Sequence, residues 1–359
     1  MTDRKTITLA DVAALADVSQ QTVSRVVTGN GQVAAHTRAR VNAAIAHLNY
    51  VPNRLAIGLA RQRTYSVGFA TTDLSLHAPS QLTAGIEQAA REAGYSLLVS
   101  IVAANGLSAT THTLRGLRER QVDGVLLNVS LDTADVLEVQ RRFPGLPCVF
   151  MDVPIGTPVP AALLDQAHGA RLAAEHLLEL GHTRVAILDG PRHAVVESAR
   201  HHAWRDALAT HDLTPVAHLE GDWSPASGYA ATLRLLAGGV PFTAILVAND
   251  QMAVGVLRAL WERGLNVPAD VSVVGYDDTP ESALLIPPLT TVRQDFPTLG
   301  ARAFAHLLNL LGTEDPHSLQ VLTVPELVIR ASTAPPSVER QSVQAALETL
   351  RAALAAHGG

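Results

Sequence analysis

Hydrophobic positions follow two different rhythms along the chain, and the change falls near residue 65. Up to residue 50 the apolar residues recur three or four apart, the period of helices that bury one face. Thr8-Leu9-Ala10-Asp11 has the spacing of a capping box with Asp in the acidic position, and Val12, Ala13, Leu15 and Ala16 follow it, which predicts a short first helix. Asp17-Val18-Ser19 breaks that pattern. Ser19 is placed to cap a second helix from Gln20 to Val27, ended by Thr28-Gly29-Asn30-Gly31. A third helix over 37–48 buries Val41, Ile45 and Leu48. Two short helices joined by a tight turn, with a third completing the unit, make a helix-turn-helix. In its second helix Val23, Val26 and Val27 face inward, leaving Gln20, Gln21, Ser24 and Arg25 outward near the N-terminal end. Those positions reach base edges: Gln pairs bidentately with adenine and Arg with guanine, while Thr22 and Ser24 suit phosphate.

From Tyr65 onward short apolar runs alternate with amphipathic helices. The runs 66–70, 97–102, 124–127, 149–151, 185–188, 244–248 and 271–274 read as buried parallel strands with helices in the gaps, an α/β fold. A polar residue stands at the carboxyl end of strand after strand: Asn128, Asp152, Asn249 with Asp250, and Tyr276 with Asp277 and Asp278. Ligands of open α/β sheets bind at that edge. Amides, carboxylates and an aromatic face suit an uncharged, polyhydroxylated ligand such as a sugar, because a carboxylate accepts from vicinal hydroxyls and a ring stacks on the apolar face of a pyranose. A phosphate ligand is disfavoured. Each of these residues taken singly is as readily a helix N-cap or a strand-end turn, and it is their convergence that points to a cleft.

Composition narrows the class. At roughly 150 residues per domain, 359 residues make two or three domains, and 47% hydrophobic with 17% charged residues is a globular balance. The single cysteine, Cys148, lies in an apolar run, which reads as a buried hydrophobe in a reducing compartment. The N-terminus lacks a basic segment followed by an apolar stretch, and no run approaches ~18 apolar residues, so a soluble cytoplasmic protein with no membrane partner is expected. The net charge of −6 conceals an asymmetry: residues 1–63 hold eight Lys/Arg against three Asp, a net +5, which leaves −11 for the rest. A basic module on an acidic body reads as a nucleic-acid binder joined to something with another task. Dinucleotide and P-loop glycine motifs, Cys-x-x-Cys and His-Glu-x-x-His are all absent, and histidine pairs such as His201-His202 read as solvated, so neither metal, cofactor nor catalytic residue is predicted.

The string Asp11-Val12-Ala13 through Val18-Ser19-x-x-Thr22-Val23-Ser24-Arg25-Val26, then Leu48-Asn49-Tyr50-x-Pro52-Asn53, resembles the headpiece of the lactose-repressor (LacI/GalR) family of transcriptional regulators. Ala34 departs from it, since the family usually caps the third helix there with Ser, a loss of about 0.5–2 kcal/mol. The resemblance continues in Leu76-His77-Ala78-Pro79-Ser80-Gln81, Gly221-Asp222-Trp223-Ser224, 246–253, 273–279 and 286–296. It implies an α/β protein with an N-terminal helix-turn-helix headpiece (1–52), a hinge helix or linker (53–63), a two-lobed, periplasmic-binding-protein-like parallel-sheet core (64–334), and a linker with a C-terminal oligomerisation helix (335–359).

The roles implied are these. Thr8, Ser19, Gln20, Gln21, Thr22, Ser24, Arg25, Asn53 and Leu59 contact a palindromic operator, with Leu59 wedged into its central minor-groove step. Residues 53–61 could form only about two helical turns, with Gly58 inside them, so this segment is expected to order only when two copies meet on DNA. Arg200, Asn249 and Asp277 hold the hydroxyls of a galactoside, Asp152 and Asn128 line the polar end, Trp223 and Phe296 supply ring faces, and Leu76, Pro79 and Gln251 close the pocket. Ala104, Leu164 and Val196 stand where the family's lactose-responsive branch has Arg, Phe and Ser, which leaves the aglycone or second sugar open. After Ala334-Pro335-Pro336-Ser337, the residues Val343, Leu347, Leu350 and Leu354 fall at coiled-coil spacing and predict a homodimer that pairs into a homotetramer; the other reading is a helix docked on its own body.

The function expected is therefore a repressor of a sugar-utilisation operon, released from its operator by a small sugar, a β-galactoside. The alternatives are a regulator answering to a different saccharide, and a sugar-processing enzyme using Asp277 and Asp152 as acid and base, which would leave the basic module unexplained. A transport binding protein would share the two-lobed body but would have no use for residues 1–63.

Overall fold

The computed structural model describes residues 7–28, 32–50, 63–191, 194–312 and 319–337. The chain divides into two compact units, residues 1–66 and 67–359.

In the first unit, α1 (Leu9–Leu15), α2 (Gln20–Thr28) and α3 (Ala35–Leu48) enclose a small core in which Val12, Val23 and Val41 are fully buried. Thr8 and Asp11 form the capping box anticipated for α1: the Thr8 amide donates to Asp11 Oδ2 at 2.8 Å, and the Asp11 amide to Thr8 Oγ1 at 3.4 Å. The turn into α2 is tied down from α3, since Arg40 Nη2 donates to the carbonyls of Ala16 (2.6 Å) and Asp17 (3.0 Å). Helix α3 starts two residues earlier than its apolar spacing suggests, and its N-cap Ala34 makes no side-chain bond. Asn49 closes it in the left-handed conformation at φ 48°, which Asn tolerates better than most residues.

The second unit has two lobes, each built on a sheet. The first lobe contains β1 (Ser66–Thr71), α4 (His77–Glu92), β2 (Ser96–Ile101), α5 (Leu107–Glu119), β3 (Gly124–Asn128), α6 (Thr133–Arg142), β4 (Cys148–Phe150) and β5 (Ala161–Leu164). The second contains α7 (Gln166–Glu179), β6 (Val185–Asp189), α8 (Val195–Ala209), β7 (Ala217–Glu220), α9 (Pro225–Ala237), β8 (Ala244–Val247), α10 (Asp250–Glu262), β9 (Ser272–Asp277), a 3-10 turn (Pro280–Ala283) and β10 (Thr290–Arg293). The chain then returns to the first lobe with α11 (Phe296–Gly312) and β11 (Gln320–Thr323), and ends on the second with β12 (Glu326–Val328). Strand order is β11-β5-β4-β3-β1-β2 in one sheet and β12-β10-β9-β8-β6-β7 in the other. The second sheet is parallel except for β12, which runs antiparallel to β10.

Three connections therefore cross between the lobes, at Asp165, at Gln294-Asp295 and at Val324-Pro325. Hydrogen bonds tie them together: the Asp165 amide donates to the Thr323 carbonyl at 2.9 Å, and Gln166 Nε2 to Gln294 Oε1 at 2.9 Å. Helices α4 and α11 meet backbone to backbone through Gly85 and Gly300, where any Cβ would overlap the facing main chain, and this contact brings Phe296 against His77 at 5.8 Å, edge to face.

Two expectations need correction. The run 97–102 does not make a buried strand: β2 is the sheet's edge, with Val99 36% and Ile101 53% exposed. An apolar run is written alike whether its strand lies central or at an edge. The sequence does not mark β5, β7, β10, β11 and β12; all but β5 mix polar with apolar residues, unlike the equally short but wholly apolar β4 and β8. Cys148 is buried as expected, its thiol pushed up to about 12 by burial. Among the described residues no helix is long and apolar enough to cross a membrane.

Candidate functional site

The strand ends bring a polar cleft together. Leu76, Pro79, Asn128 and Asp152 from the first lobe, Arg200, Trp223, Asn249, Gln251 and Asp277 from the second, and Phe296 just past a crossing all line one cavity of about 250 Å³. These are the ten body residues singled out from the sequence.

Arg200, on α8, is the electrostatic centre of the cleft and is 4% exposed. Its guanidinium lies 3.9 Å above the Tyr276 ring and is held in the plane, Nε donating to Gln166 Oε1 at 2.9 Å and Nη1 donating to the Ala248 carbonyl. Its Nη2 is 3.9 Å from Asp277 Oδ1, which also accepts from Gln294 Nε2 at 2.6 Å. Burial pushes the Asp277 carboxyl up to about 7; Arg200 opposes that shift, and the nearby Asp250 adds to it. With Gln294 and Arg200 both on Oδ1, Asp277 presents Oδ2 to whatever enters the cavity.

The other polar residues divide their bonding between fold and cleft. Asn249 is the N-cap of α10, its Oδ1 accepting from the Met252 amide at 2.8 Å, while Nδ2 donates to the Trp223 carbonyl at 3.0 Å and keeps one N–H. That bond helps hold Trp223 at φ 74°, with its indole laid flat on Gly190, where a Cβ would overlap the ring. Asn128 Nδ2 donates to Thr71 Oγ1 at 3.1 Å.

Among the described residues, bonds span the cleft between lobes: the His77 amide donates to Gln251 Oε1 at 3.1 Å, and the Val195 amide, at the start of α8, donates to Ser130 Oγ at 2.6 Å.

Three strand-end residues turn away from the cavity. Tyr276 is fully buried beneath Arg200 and donates its hydroxyl to the Gln166 carbonyl at 3.0 Å, so the cleft's aromatic faces are Trp223 and Phe296. Asp250 accepts from Ser282 and Thr291 hydroxyls at 2.6 Å each and from the Thr279 amide at 2.9 Å; burial pushes it up to about 6. Asp278 pairs with Arg293 and Arg330, both at 2.6 Å.

Sequence reasoning missed Gln166, Gln294 and Ser130, which position Arg200, Asp277 and α8. Gln166 follows β5, one of the strands the sequence does not mark, so its place at a strand end was not visible. Of the three departures, Leu164 lines the cavity, Ala104 is exposed beside the lining residue Asn105, and the Val196 side chain lies outside the described residues.

In the first unit, Gln20, Gln21 and Arg25 are exposed along α2, while Ser24 and Thr22 are partly so. Ser19 caps the helix, its Oγ accepting from the Thr22 amide at 3.1 Å. Thr8 spends its hydroxyl in the α1 cap, donating to Asp11 Oδ2 at 2.7 Å. Asn53, Leu59 and the C-terminal Val343, Leu347, Leu350 and Leu354 lie outside the described residues.

Comparison with known proteins finds a match within each unit. Residues 8–53 match the family described as bacterial regulatory proteins, lacI family, and residues 174–333 match a periplasmic binding protein-like domain. The chain is 43% identical over 346 residues to the lactose operon repressor of Escherichia coli (strain K12), covering 96% of each chain, and 36% identical over 349 residues to the lactose operon repressor of Klebsiella pneumoniae, covering 97% and 98%. Among solved structures, the Lac repressor dimer bound to operator and the anti-inducer ONPF superposes with a TM-score of 0.87 at 43% identity, covering 92% of this chain and 100% of that one. A complex of the transcriptional regulator CelR with cellobiose superposes with a TM-score of 0.67 at 31% identity, covering 91% and 99%. These relatives are regulators and not enzymes. The chain belongs to the lacI family of bacterial regulatory proteins.

Proposed function

We propose that the protein represses a sugar-utilisation operon by binding a palindromic operator as a dimer, and that a small sugar, a β-galactoside, binds the cleft and releases it. The observation that carries this reading is the cleft itself: a buried arginine and a carboxylate with one oxygen to spare, flanked by two aromatic rings, in a chain that also carries a helix-turn-helix. Asp277 accepts from a sugar hydroxyl, Arg200 and Asn249 donate, Asp152 and Asn128 serve the far polar end, and Trp223 and Phe296 cover the apolar faces. Leu76, Pro79 and Gln251 close the rim. Three carboxylates in the lining, Asp73, Asp152 and Asp277, disfavour a phosphorylated ligand.

Control of DNA follows from linkage. A ligand can shift a two-state equilibrium only by its differential affinity for the two states. The bonds His77–Gln251 and Val195–Ser130 exist only at one lobe separation, and each contributes about 0.5–1.5 kcal/mol to that arrangement. A sugar that wedges or tilts the lobes trades them for its own contacts, and the hinge segment 53–63, with Asn53 and Leu59, answers. Gln20, Gln21 and Arg25 read bases, and Thr8, Ser19, Thr22 and Ser24 serve the backbone side of the interface. The repeat Val343, Leu347, Leu350 and Leu354 joins two dimers into a tetramer.

Leu164 in the cavity favours a second reading of part of the site: the galactosyl end is kept while the aglycone end is wider and lacks an aromatic face. Calorimetric titration of the purified protein with alkyl and aryl β-galactosides, the matching glucosides and a galactose phosphate tests the proposal. Galactosides should bind at least tenfold tighter than either other class. Preference for the phosphate, or no binding by any of them, would overturn it.

A further inference from the structure

A second cluster of polar side chains lies in the second lobe, outside the set of cavity-lining residues. Asp189 ends β6 and is 2% exposed, His201 follows Arg200 on α8, and His218 lies on the edge strand β7. His201 Nδ1 is 2.7 Å from Asp189 Oδ2, and His218 Nε2 bonds the same oxygen. The two imidazole rings are 4.6 Å apart, and the three donor atoms all lie within 4.8 Å of one another. The parallel pairing of β6 with β7 sets Glu220 opposite Asp189, adding a second carboxylate to the neighbourhood. The sequence reading of His201-His202 as a solvated pair holds for His202, which bonds back to the Ser198 carbonyl at 2.6 Å, but not for His201, which turns inward.

We propose that Asp189, His201 and His218 bind one divalent transition-metal ion of the zinc class. Three elements distant in sequence deliver two imidazole nitrogens and one carboxylate oxygen to a single point. That donor set suits Zn²⁺, which takes His nitrogen and Asp oxygen at about 2.0–2.2 Å, so that the donors of a tetrahedral site lie roughly 3.3 Å apart. Hard cations such as Mg²⁺ demand oxygen ligands and are poorly served by imidazole. On binding, the ion displaces the protons from His201 Nδ1 and His218 Nε2; each ring carries its one remaining proton on the other nitrogen and ligates as a neutral imidazole, and any second proton leaves to solvent. His218, with its side chain 35% exposed, leaves a fourth position open to water. Occupancy ties α8 to β6 and β7 immediately beside Arg200.

The test is equilibrium dialysis and calorimetry of the chelator-treated full-length protein with Zn²⁺ alone, Mg²⁺ as competitor, and Co²⁺ as a visible-absorption probe of four-coordinate geometry. One Zn²⁺ should bind per chain and not be displaced by a hundredfold excess of Mg²⁺. His218→Ala, at an exposed position on an edge strand, and His201→Ala should each weaken binding by more than about tenfold. His202→Ala should leave binding unchanged, and melting curves of all variants establish that they are folded. Absence of a stoichiometric site, retention of wild-type affinity in folded His218→Ala or His201→Ala, or displacement by Mg²⁺ would overturn the proposal.

Discussion

Replacing Asp277 by Asn tests the cleft chemistry with little change in shape. Oδ1 of Asp277 is engaged by Gln294 at 2.6 Å and faced by Arg200 at 3.9 Å, so one charged acceptor remains for a ligand. A hydrogen bond to a charged group contributes about 1.5–3 kcal/mol, and the Asp277→Asn protein should therefore bind galactoside roughly 10- to 150-fold more weakly. Stability should move the other way. Burial raises the carboxyl from 3.8 to about 7, so folding favours the neutral form; that contribution is fully present below about pH 4 and is lost as the pH rises through about 7. Asn resembles the neutral form, and the variant should melt no lower than wild type above pH 7. Ligand binding carries the opposite sign, because a hydroxyl that donates to the carboxylate favours ionisation. Wild-type affinity should fall as the pH is lowered from about 8 to about 5 and approach the value for Asp277→Asn, whose own affinity stays flat. Calorimetry across that range reads both quantities, with operator binding by anisotropy as the control expected to be unchanged. An Asp277→Asn protein within threefold of wild type at pH 8, or one that keeps the wild-type pH dependence, would refute the assignment of Asp277 as the ligand's acceptor.

Gly190→Ala would drive a methyl group into the Trp223 indole, and galactoside affinity should fall by a few-fold to about tenfold as the stacking face shifts, with Trp fluorescence reporting the displacement. In the headpiece, Arg25→Ala should relax base preference, whereas Arg38→Ala, exposed on α3, should weaken binding to all sequences alike and lower the salt slope by about 0.9 per headpiece, about 1.8 for the dimer; equal base preference in both variants would contradict these roles. Removing residues 338–359 should convert a tetramer to a dimer in sedimentation while single-site operator affinity is kept; a full-length protein that is already a dimer at micromolar concentration would contradict the C-terminal reading.

Local rules carried the sequence a long way, and the points where they failed share a cause. Thr8 and Ser19 announce helix starts because caps depend on neighbours within three residues. The strand-end rule found Asn128, Asp152, Asn249 and Asp277, but it cannot tell which face a strand-end residue takes. Adjacent residues point to opposite sides, so Asp277 enters the cleft while Asp278 pairs with Arg293 and Arg330 behind it. Asn249 shows that cap and site are not exclusive, since it does the first with Oδ1 and retains an N–H for the second. What was hidden depends on docking between distant segments. Gln166 and Gln294 join two crossings 128 residues apart, Ser130 meets Val195 across the cleft, and Asp189, His201 and His218 follow no spacing that a metal motif would reveal. The edge position of β2 was likewise unreadable, because the order of strands in a sheet is a property of the whole lobe.

The central claim is that one ligand in the cleft governs affinity at the headpiece. Its most direct test is fluorescence anisotropy of a labelled palindromic operator, saturated with the full-length protein and titrated with a galactoside. By linkage, operator affinity should fall by the same factor by which operator weakens galactoside binding in the reciprocal titration, with Arg200→Ala abolishing both effects while binding operator normally. Release that persists in the folded Arg200→Ala protein, or a galactoside that binds the cleft without changing operator affinity, would contradict it.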